Sequence, residues 1–201
     1  MDGIIGKTIG YYDRNATDWA KEKSGFDKGS YWEAEMAKFK ELIPSGKILE
    51  IGSGTGKDAE ELIRLEYDYI GTDASIGMLA LARERLPAAD FRRGSALDLN
   101  FPENSFDGFW TAATLLHIPK DQIDKALKEV YKVTRNEGIG FISMKRGSTE
   151  GEDSLTGRWF SYYSQDEFGN VLKRNNFEIV EFKERQSTKD FWLIFFVKVK
   201  K

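Results

Sequence analysis

Short apolar runs alternate with stretches of helical periodicity through most of the chain. In the region after residue 112, Ile123, Leu127, Val130 and Val133 recur at the spacing of one helix face. Strands that alternate with helices in this way predict a parallel sheet covered by helices on both faces, which is an α/β fold. Five of the apolar runs have the length and composition of strands: 48–51, 67–72, 91–94, 105–112 and 138–144.

Two further apolar runs, 177–182 and 191–199, close the chain. Only a short polar link separates them, so we predict that they form neighbouring antiparallel strands. Before them, Ser164 and Glu167 form the S-x-x-E pattern of a capping box, which predicts the start of a helix. The stretch 145–159 is polar and rich in glycine, serine and acidic residues, which predicts a loop.

The first 26 residues are polar and aromatic. Two interpretations stay open for them: a surface helix anchored by its aromatic residues, or a flap that closes over a ligand. Ser30 and Glu33 form another capping-box pattern, which predicts a second helix. We find no linker between domains, and therefore predict a single domain with a helical cap over 1–45 and a sheet-based core over 46–201.

Three alternating glycines, Gly52, Gly54 and Gly56, follow the first predicted strand and precede a helical pattern that begins at Lys57. Glycine is needed where the backbone must take positive φ or let a ligand come close, and a helix start supplies unpaired N–H groups. The turn therefore favours a nucleotide-like ligand, although a plain strand-to-helix turn could use the same residues. Dinucleotide-binding folds space these glycines as G-x-G-x-x-G, whereas here the third comes one residue earlier.

Asp73 ends the second predicted strand, about 20 residues after Gly52, where nucleotide-binding units carry the acid that holds the ribose hydroxyls. The carboxylate could also cap the helix that begins at Ala74. We favour ribose binding, because the position at a strand end and the spacing agree. Ligands of parallel sheets bind beyond the carboxyl ends of the strands. The segments expected at those ends are 52–56, Asp73, 95–97, 111–117 and Lys145.

Composition narrows the classes of function. The chain has 201 residues, 31% of them charged, and a net charge of −3, so it lacks the basicity of a typical nucleic-acid binder. It has no cysteine and one histidine, which excludes disulfides, thiolate catalysis, cysteine–zinc sites and histidine-based metal clusters. No apolar stretch approaches the roughly 20 residues of a membrane span, and the N-terminus lacks the apolar core of a signal peptide. We therefore expect a cytoplasmic protein without a membrane partner.

The segment from Glu50 to Gly56, Glu-x-Gly-x-Gly-x-Gly, resembles motif I of the class I S-adenosylmethionine (SAM)-dependent methyltransferases. Asp73 is similar to the acidic second motif of that family. The resemblance covers about residues 10–200. It implies a Rossmann-like, doubly wound sheet of seven strands in the order 3-2-1-4-5-7-6, with strand 7 antiparallel.

Other segments extend this resemblance. Residues 101–107 are similar to the family's F-P-[DE]-x-S-F-D segment, and 115–118 to its L-x-H-[IVL] segment. The Gly-Arg-Trp-Phe at 157–160 is similar to bacterial and archaeal members that are loosely related to tellurite- and thiopurine-type enzymes. The chain departs from the family at Ser95, where many members have an aspartate for the adenine, and at the 136–138 turn, which lacks a proline.

The resemblance also implies the cofactor and its contacts. The methyl donor is expected to be SAM, the product S-adenosylhomocysteine, and no metal is expected. The cofactor-binding residues that it implies are Tyr12, Glu50, Gly52, Ser53, Gly54, Gly56, Asp73, Ala74, Met78, Ser95, Ala96, Leu97, Thr111 and Ala112.

Methyl transfer from a sulfonium is an in-line displacement with an excellent leaving group, so positioning can supply much of the rate. A base is needed only if the acceptor must lose a proton, and His117 is the candidate, its other interpretation being a structural hydrogen bond. Lys145 and Arg158 could bind an anionic acceptor, and aromatic residues could shield the sulfonium. The residues predicted to bind the acceptor are Tyr11, Trp19, Lys145, Arg158 and Tyr162.

Several classes of acceptor are disfavoured by missing motifs. No two prolines are adjacent, as methylation of base amino groups requires, and RNA cytosine-C5 enzymes need a cysteine. No tyrosine has a lysine four residues later, which disfavours a short-chain dehydrogenase. We therefore predict transfer to an oxygen, nitrogen, sulfur or metalloid atom of a small molecule. An RNA methyltransferase and a non-catalytic SAM-binding regulator stay as alternatives, and the oligomeric state stays open.

Overall fold

A computed structural model describes residues 3–24, 31–188 and 190–201. The helices within these ranges are α1 Ile4–Ser24, α2 Glu33–Leu42, α3 Lys57–Arg64, α4 Ile76–Arg85, α5 Ile123–Val133 and α6 Gln165–Arg174. The strands are β1 Lys47–Ile51, β2 Asp68–Asp73, β3 Asp90–Arg93, β4 Phe106–Thr111, β5 Thr134–Lys145, β6 Glu150–Glu152, β7 Trp159–Ser161, β8 Phe177–Gln186 and β9 Phe191–Val199.

Seven of these strands form one sheet in the order β3-β2-β1-β4-β5-β9-β8. The first five are parallel, while β9 runs antiparallel to both of its neighbours. When the separate β6–β7 hairpin is left out of the count, this is the predicted order 3-2-1-4-5-7-6 with an antiparallel strand 7, so the predicted fold is confirmed. The central strand β1 is buried from Ile48 onwards, as expected for a parallel strand covered on both faces.

Helix α2 packs on one face of the sheet through aromatic side chains. Phe39 meets Trp110 edge-on at 5.4 Å between ring centroids, and Trp32 meets Phe141 at the same distance. Trp110 and Phe141 are stacked at 3.7 Å on the neighbouring strands β4 and β5. Burial of such large rings stabilises the sheet core by a few kcal/mol each.

The capping-box patterns that predict helix starts were partly confirmed. The Ser164 hydroxyl accepts a hydrogen bond from the Glu167 amide at 3.1 Å, as the capping box predicts. Ser30 lies outside the described residues, and α2 begins at Glu33. The helix predicted from the spacing between Ile123 and Val133 is α5, and residues Leu115–His117 form a single 3₁₀ turn between β4 and this helix.

The predicted loop 145–159 contains one strand of a short hairpin, in which Gly151 lies opposite Phe160. Its first strand, Glu-Gly-Glu, has no apolar alternation, so the sequence pattern gives no strand signal there. The hairpin matters for the site because its second strand reaches α1. No helix in the described parts of the chain is both long and apolar enough to span a membrane.

Candidate functional site

The carboxyl ends of β1, β2 and β4 meet at one edge of the sheet, and the glycine loop starts there. The amides of Gly52 and Ser53 both donate to the Thr72 carbonyl, at 2.7 and 2.9 Å, which ties the loop to β2. Gly52 has a φ of +78°, and a Cβ there would lie 2.1 Å from Thr114 Oγ1. Gly54 has a φ of +54°, but a Cβ there would meet no atom within 4 Å. The loop therefore touches protein at its first glycine and faces open space at its second.

Asp73 is fixed beside that open space. One of its carboxylate oxygens accepts from the Gly54 amide and the other from the Ser75 amide, both at 2.8 Å. The cap of α4 is Ser75, whose hydroxyl accepts from the Met78 amide at 3.1 Å. Burial raises the pKa of Asp73, opposed by its backbone donors. The carboxylate is therefore oriented by the loop and the helix start, with lone pairs left for a ligand.

A cavity of about 220 Å³ lies above this edge of the sheet. Of the described residues that line it, only Asp73 carries a formal charge at neutral pH. The lining residues that were predicted as site residues are Tyr12, Trp19, Gly52, Gly54, Asp73, Ala74, Met78, Ser95, Ala96, Ala112 and His117. Two others, Ala113 and Thr114, belong to the 111–117 segment that was expected at the strand ends, and those that the sequence analysis missed are Ile5, Thr8, Ile9, Ile51, Ser75, Gly94 and Ile118.

One side of the cavity is apolar and lies next to Asp73. Ala74 and Met78 come from the start of α4, and Ala96 comes from the turn after β3. Ser95 also lines the cavity, and its hydroxyl accepts from the Leu97 amide at 3.2 Å, so it braces its own turn. Leu97 itself is outside the lining. This side of the cavity would fit a flat apolar ring that is joined to a group carrying hydroxyls.

Another part of the lining comes from one face of α1, which we call the α1 wall: Ile5, Thr8, Ile9, Tyr12 and Trp19. The spacing of these residues is that of one helix face, a signal that could have identified Ile5 and Ile9 from the sequence. Helix α1 rests on α4, because Asp13 Oδ1 accepts from the Ser75 hydroxyl at 2.7 Å and from the Gly77 amide at 3.0 Å.

His117 connects α1 to the hairpin. Its Nδ1 lies 2.6 Å from the Trp159 carbonyl and its Nε2 lies 2.9 Å from the Tyr12 hydroxyl. A carbonyl only accepts, so Nδ1 carries the proton and Nε2 accepts from Tyr12. Burial, with the nearby charges of Arg158 and Lys145, lowers the pKa of His117 to about 4. The imidazole is therefore neutral at pH 7, and is a weak base.

Two basic residues predicted to bind the acceptor are occupied by the protein itself. The Lys145 ammonium pairs with Asp190 at 2.9 Å. Arg158 donates to the Tyr12 hydroxyl at 3.0 Å and lies among aromatic rings. Neither lines the cavity, so the structure gives no support for their predicted contact with an anionic acceptor. Tyr11 and Tyr162 are also outside the lining.

Some predicted cofactor residues lie behind the cavity surface. Glu50 is buried within β1 and accepts a hydrogen bond from the Tyr69 hydroxyl, and burial raises its pKa well above the usual value. Glu50 therefore supports the glycine loop from within the sheet and does not line the cavity. Ser53, Gly56 and Thr111 also lie outside the lining. In the described part of the chain, the hydroxyls of Ser53 and Thr111 are buried without a hydrogen-bond partner.

The hydrogen-bonding groups and the apolar atoms of the cavity lining suit a nucleoside-like ligand. A fixed carboxylate, an open glycine and an apolar slot lie side by side at Asp73, Gly54 and Ala74. Over the described residues, no group of three or more His, Cys, Asp or Glu side chains could hold a metal ion. These features fit SAM, which brings a ribose, an adenine and a methionine.

Comparison with known proteins gives matches of the same kind. Residues 48–138 match the family described as "Methyltransferase domain". A demethylmenaquinone methyltransferase of Renibacterium salmoninarum is 33% identical over 96 residues, which cover 48% of this chain and 40% of that protein. A ubiquinone/menaquinone biosynthesis C-methyltransferase of Rickettsia bellii is 27% identical over 208 residues, which cover 83% of this chain and 82% of that protein. The chain spans less than half the length of the first curated relatives that it matches.

Solved structures agree on the fold. The 1,6-didemethyltoxoflavin-N1-methyltransferase of Burkholderia thailandensis, solved with its substrate and S-adenosylhomocysteine bound, superposes with a TM-score of 0.79 at 15% identity. The match covers 98% of this chain and 88% of that one, so it includes α1 as well as the sheet. Strand order, motif I and the match over residues 48–138 therefore agree in making the chain similar to the class I SAM-dependent methyltransferases.

Proposed function

We propose that the cavity binds SAM and that the chain transfers the sulfonium methyl group to a small, largely apolar acceptor. The observation that carries the proposal is the Asp73 carboxylate, held by the Gly54 and Ser75 amides at the edge of an open glycine loop. Bound SAM supplies an activated methyl group with a thioether as leaving group. The chain's own residues bind it, orient it and exclude water.

Each part of the donor has a matching surface. Asp73 accepts hydrogen bonds from the ribose hydroxyls, for which its carboxylate has lone pairs left. Ala74, Met78 and Ala96 cover the adenine with apolar atoms. The backbone around Gly54 takes the methionine end, since no protein atom fills the space beside it.

The acceptor lies against the α1 wall, whose polar atoms are already paired. Thr8 Oγ1 accepts from the Trp159 amide at 2.9 Å, and the Tyr12 hydroxyl bonds to His117. A strongly polar or anionic acceptor would find few free partners there, and leaving polar groups unpaired is costly. The acceptor is therefore neutral and mostly apolar, and binds by shape. The names of the relatives in Renibacterium and Rickettsia point to menaquinone and ubiquinone precursors as their acceptors, which agrees with an apolar ring compound here.

Among the described residues that line the cavity, none is a strong general base placed beside the α1 wall. The pKa of His117 is about 4, and its Nε2 is already bonded to Tyr12. The acceptor must therefore bring a nucleophilic carbon, oxygen, nitrogen or sulfur that is reactive at neutral pH. In-line positioning against the sulfonium then supplies the rate enhancement.

The alternatives predict different binding and turnover. A polymer such as RNA is disfavoured because the described residues that line the cavity include no lysine or arginine to pair with phosphates. A non-catalytic SAM-binding regulator would bind S-adenosylhomocysteine but methylate nothing. Localisation in the cytoplasm stays a prediction.

Calorimetry and an acceptor screen test the proposal. We expect S-adenosylhomocysteine to bind with a stoichiometry of one, and deuterated methyl from SAM to appear by mass spectrometry on a phenol, quinol or heteroaromatic ring from a broad panel. Absence of S-adenosylhomocysteine binding would overturn the donor assignment. Binding without transfer to any member of the panel would favour the regulator instead.

A further inference from the structure

The guanidinium of Arg158 is surrounded by four aromatic rings. Its central carbon lies 4.9 Å from the ring centroid of Tyr11, 5.4 Å from Tyr12, 5.1 Å from Trp19 and 5.1 Å from Phe160. Three of these rings belong to α1 and the fourth belongs to β7. The faces of aromatic rings attract cations, and this attraction becomes stronger as water is excluded from the site. One side chain therefore joins two elements that are distant in the chain.

Hydrogen bonds orient this guanidinium. Its Nη1 donates to the Tyr12 hydroxyl at 3.0 Å and its Nε donates to Thr156 Oγ1 at 3.1 Å. The next residue, Trp159, donates its amide to Thr8 Oγ1 at 2.9 Å. Lys7 of α1 also pairs with Glu152 of β6 at 2.6 Å, but that ion pair is exposed to solvent. The less exposed part of the contact between α1 and the hairpin is thus formed by Arg158 and the residue that follows it.

Tyr12 and Trp19 have two roles at once. They hold Arg158 and they also line the cavity as part of the α1 wall. Thr8 does the same through its bond to Trp159. The position of the cavity wall therefore depends on the contact between α1 and the hairpin.

We infer that Arg158 is a positioning residue, whose cation is held by the α1 aromatic rings and fixes the α1 wall over the cavity. This deepens the proposed function, on which its ligand-binding consequence rests. Arginine suits the task because its planar guanidinium can stack on rings while donating several hydrogen bonds. A lysine ammonium is a compact point charge and cannot make all of these contacts together.

A chemical-rescue experiment follows directly. Arg158→Ala leaves a space bounded by four rings, and free guanidinium ion has the shape and charge of the lost group. Urea has nearly the same shape but no charge. We expect guanidinium chloride at about 50 mM, far below the molar range that unfolds proteins, to restore the contact, and urea or sodium chloride at equal concentration to leave it broken.

Two measurements report on the wall. Amide hydrogen exchange of the ligand-free protein should be at least about tenfold faster over α1 in Arg158→Ala, with the core strand β1 still protected. The dissociation constant for S-adenosylhomocysteine should rise about tenfold, since loss of a partly buried cation–π contact is worth about that factor. Both changes should reverse with guanidinium.

Arg92→Ala is the matched control. Arg92 is likewise an arginine whose guanidinium lies over an aromatic ring, Phe101 at 5.4 Å, and it pairs with Asp90 at 2.6 Å, but it lies outside the cavity lining. Its removal should change neither α1 exchange nor ligand affinity. Arg158→Lys is a second variant, in case the alanine variant does not fold. It should show faster α1 exchange than the wild type despite keeping the charge.

Each outcome decides the inference. Unchanged α1 exchange in Arg158→Ala, equal rescue by urea and guanidinium, or a lysine variant that matches the wild type would overturn it. If the wild-type protein fails to bind S-adenosylhomocysteine, the proposed function fails instead. The exchange and rescue measurements on ligand-free protein still test the role of Arg158 in that case.

Discussion

Replacing Asp73 with asparagine is the sharpest perturbation of the donor site. Each carboxylate oxygen accepts one backbone N–H, from Gly54 and from Ser75, at 2.8 Å. In Asp73→Asn, one oxygen becomes an NH₂ group that faces an N–H donor, and the negative charge is lost. The side chain keeps its size, so the change is one of hydrogen bonding and charge.

The magnitude can be worked from these contacts. A hydrogen bond to a charged acceptor contributes about 1.5–3 kcal/mol, so loss of one ribose bond weakens ligand binding about 10- to 150-fold. The free energy of unfolding should change by no more than about 1 kcal/mol, because the lost loop bond is offset by removal of a buried charge. The raised pKa of Asp73 shows that burial penalises that charge.

Calorimetry with S-adenosylhomocysteine and with its 2′-deoxy analogue is the assay. The wild type should lose affinity for the analogue, while Asp73→Asn should bind the two ligands almost equally. Asp68→Asn is the control, because Asp68 lies at the opposite end of β2 and only pairs loosely with Lys47, at 3.8 Å. Each good hydrogen bond is worth about 1 kcal/mol or more. If Asp73→Asn binds S-adenosylhomocysteine with an affinity within about twofold of the wild type, the assignment of Asp73 to the ribose is refuted.

Three further predictions concern the loop, the histidine and the α1 wall. Gly52→Ala should lower the free energy of unfolding in urea by about 3 kcal/mol, because its Cβ would lie 2.1 Å from Thr114. Gly54→Ala should lower it by only about 1 kcal/mol but should weaken S-adenosylhomocysteine binding more than about tenfold. The pKa of His117 is about 6.5 in the unfolded state but about 4 in the folded state, so protonation at low pH favours unfolding. Between pH 7 and pH 4.5 the wild type should therefore lose about 2–3 kcal/mol of stability relative to His117→Gln. A parallel pH dependence in both proteins would contradict that pKa. Ile9→Ser should raise KM for an apolar acceptor by about 5- to 30-fold, at about 1–2 kcal/mol of lost burial, and leave the affinity for S-adenosylhomocysteine unchanged.

The donor side could be predicted because its signals are local. Gly52, Gly54 and Asp73 lie at a strand end, and their spacing alone brings them to one edge of a parallel sheet. The sheet order was predicted through the resemblance, and the structure confirms it. The Asp73 carboxylate also lies where its spacing predicts, while the N-cap of α4 is Ser75.

The acceptor side could not be predicted because it depends on contacts between distant parts of the chain. Lys145 and Arg158 look like free cations in the sequence, but Asp190 and the rings of α1 occupy them. Tyr12 and His117 are 105 residues apart in sequence and still share a hydrogen bond. Helical spacing groups Ile5 and Ile9 on one face of α1, but only the docking of α1 determines that this face lines the cavity.

A crystal structure of the protein grown with S-adenosylhomocysteine tests the central claim most directly. The account predicts ribose hydroxyls within hydrogen-bond distance of the Asp73 carboxylate, the adenine against Met78 and Ala96, and the homocysteine beside Gly54. A ligand bound elsewhere, or one whose ribose makes no contact with Asp73, would contradict it.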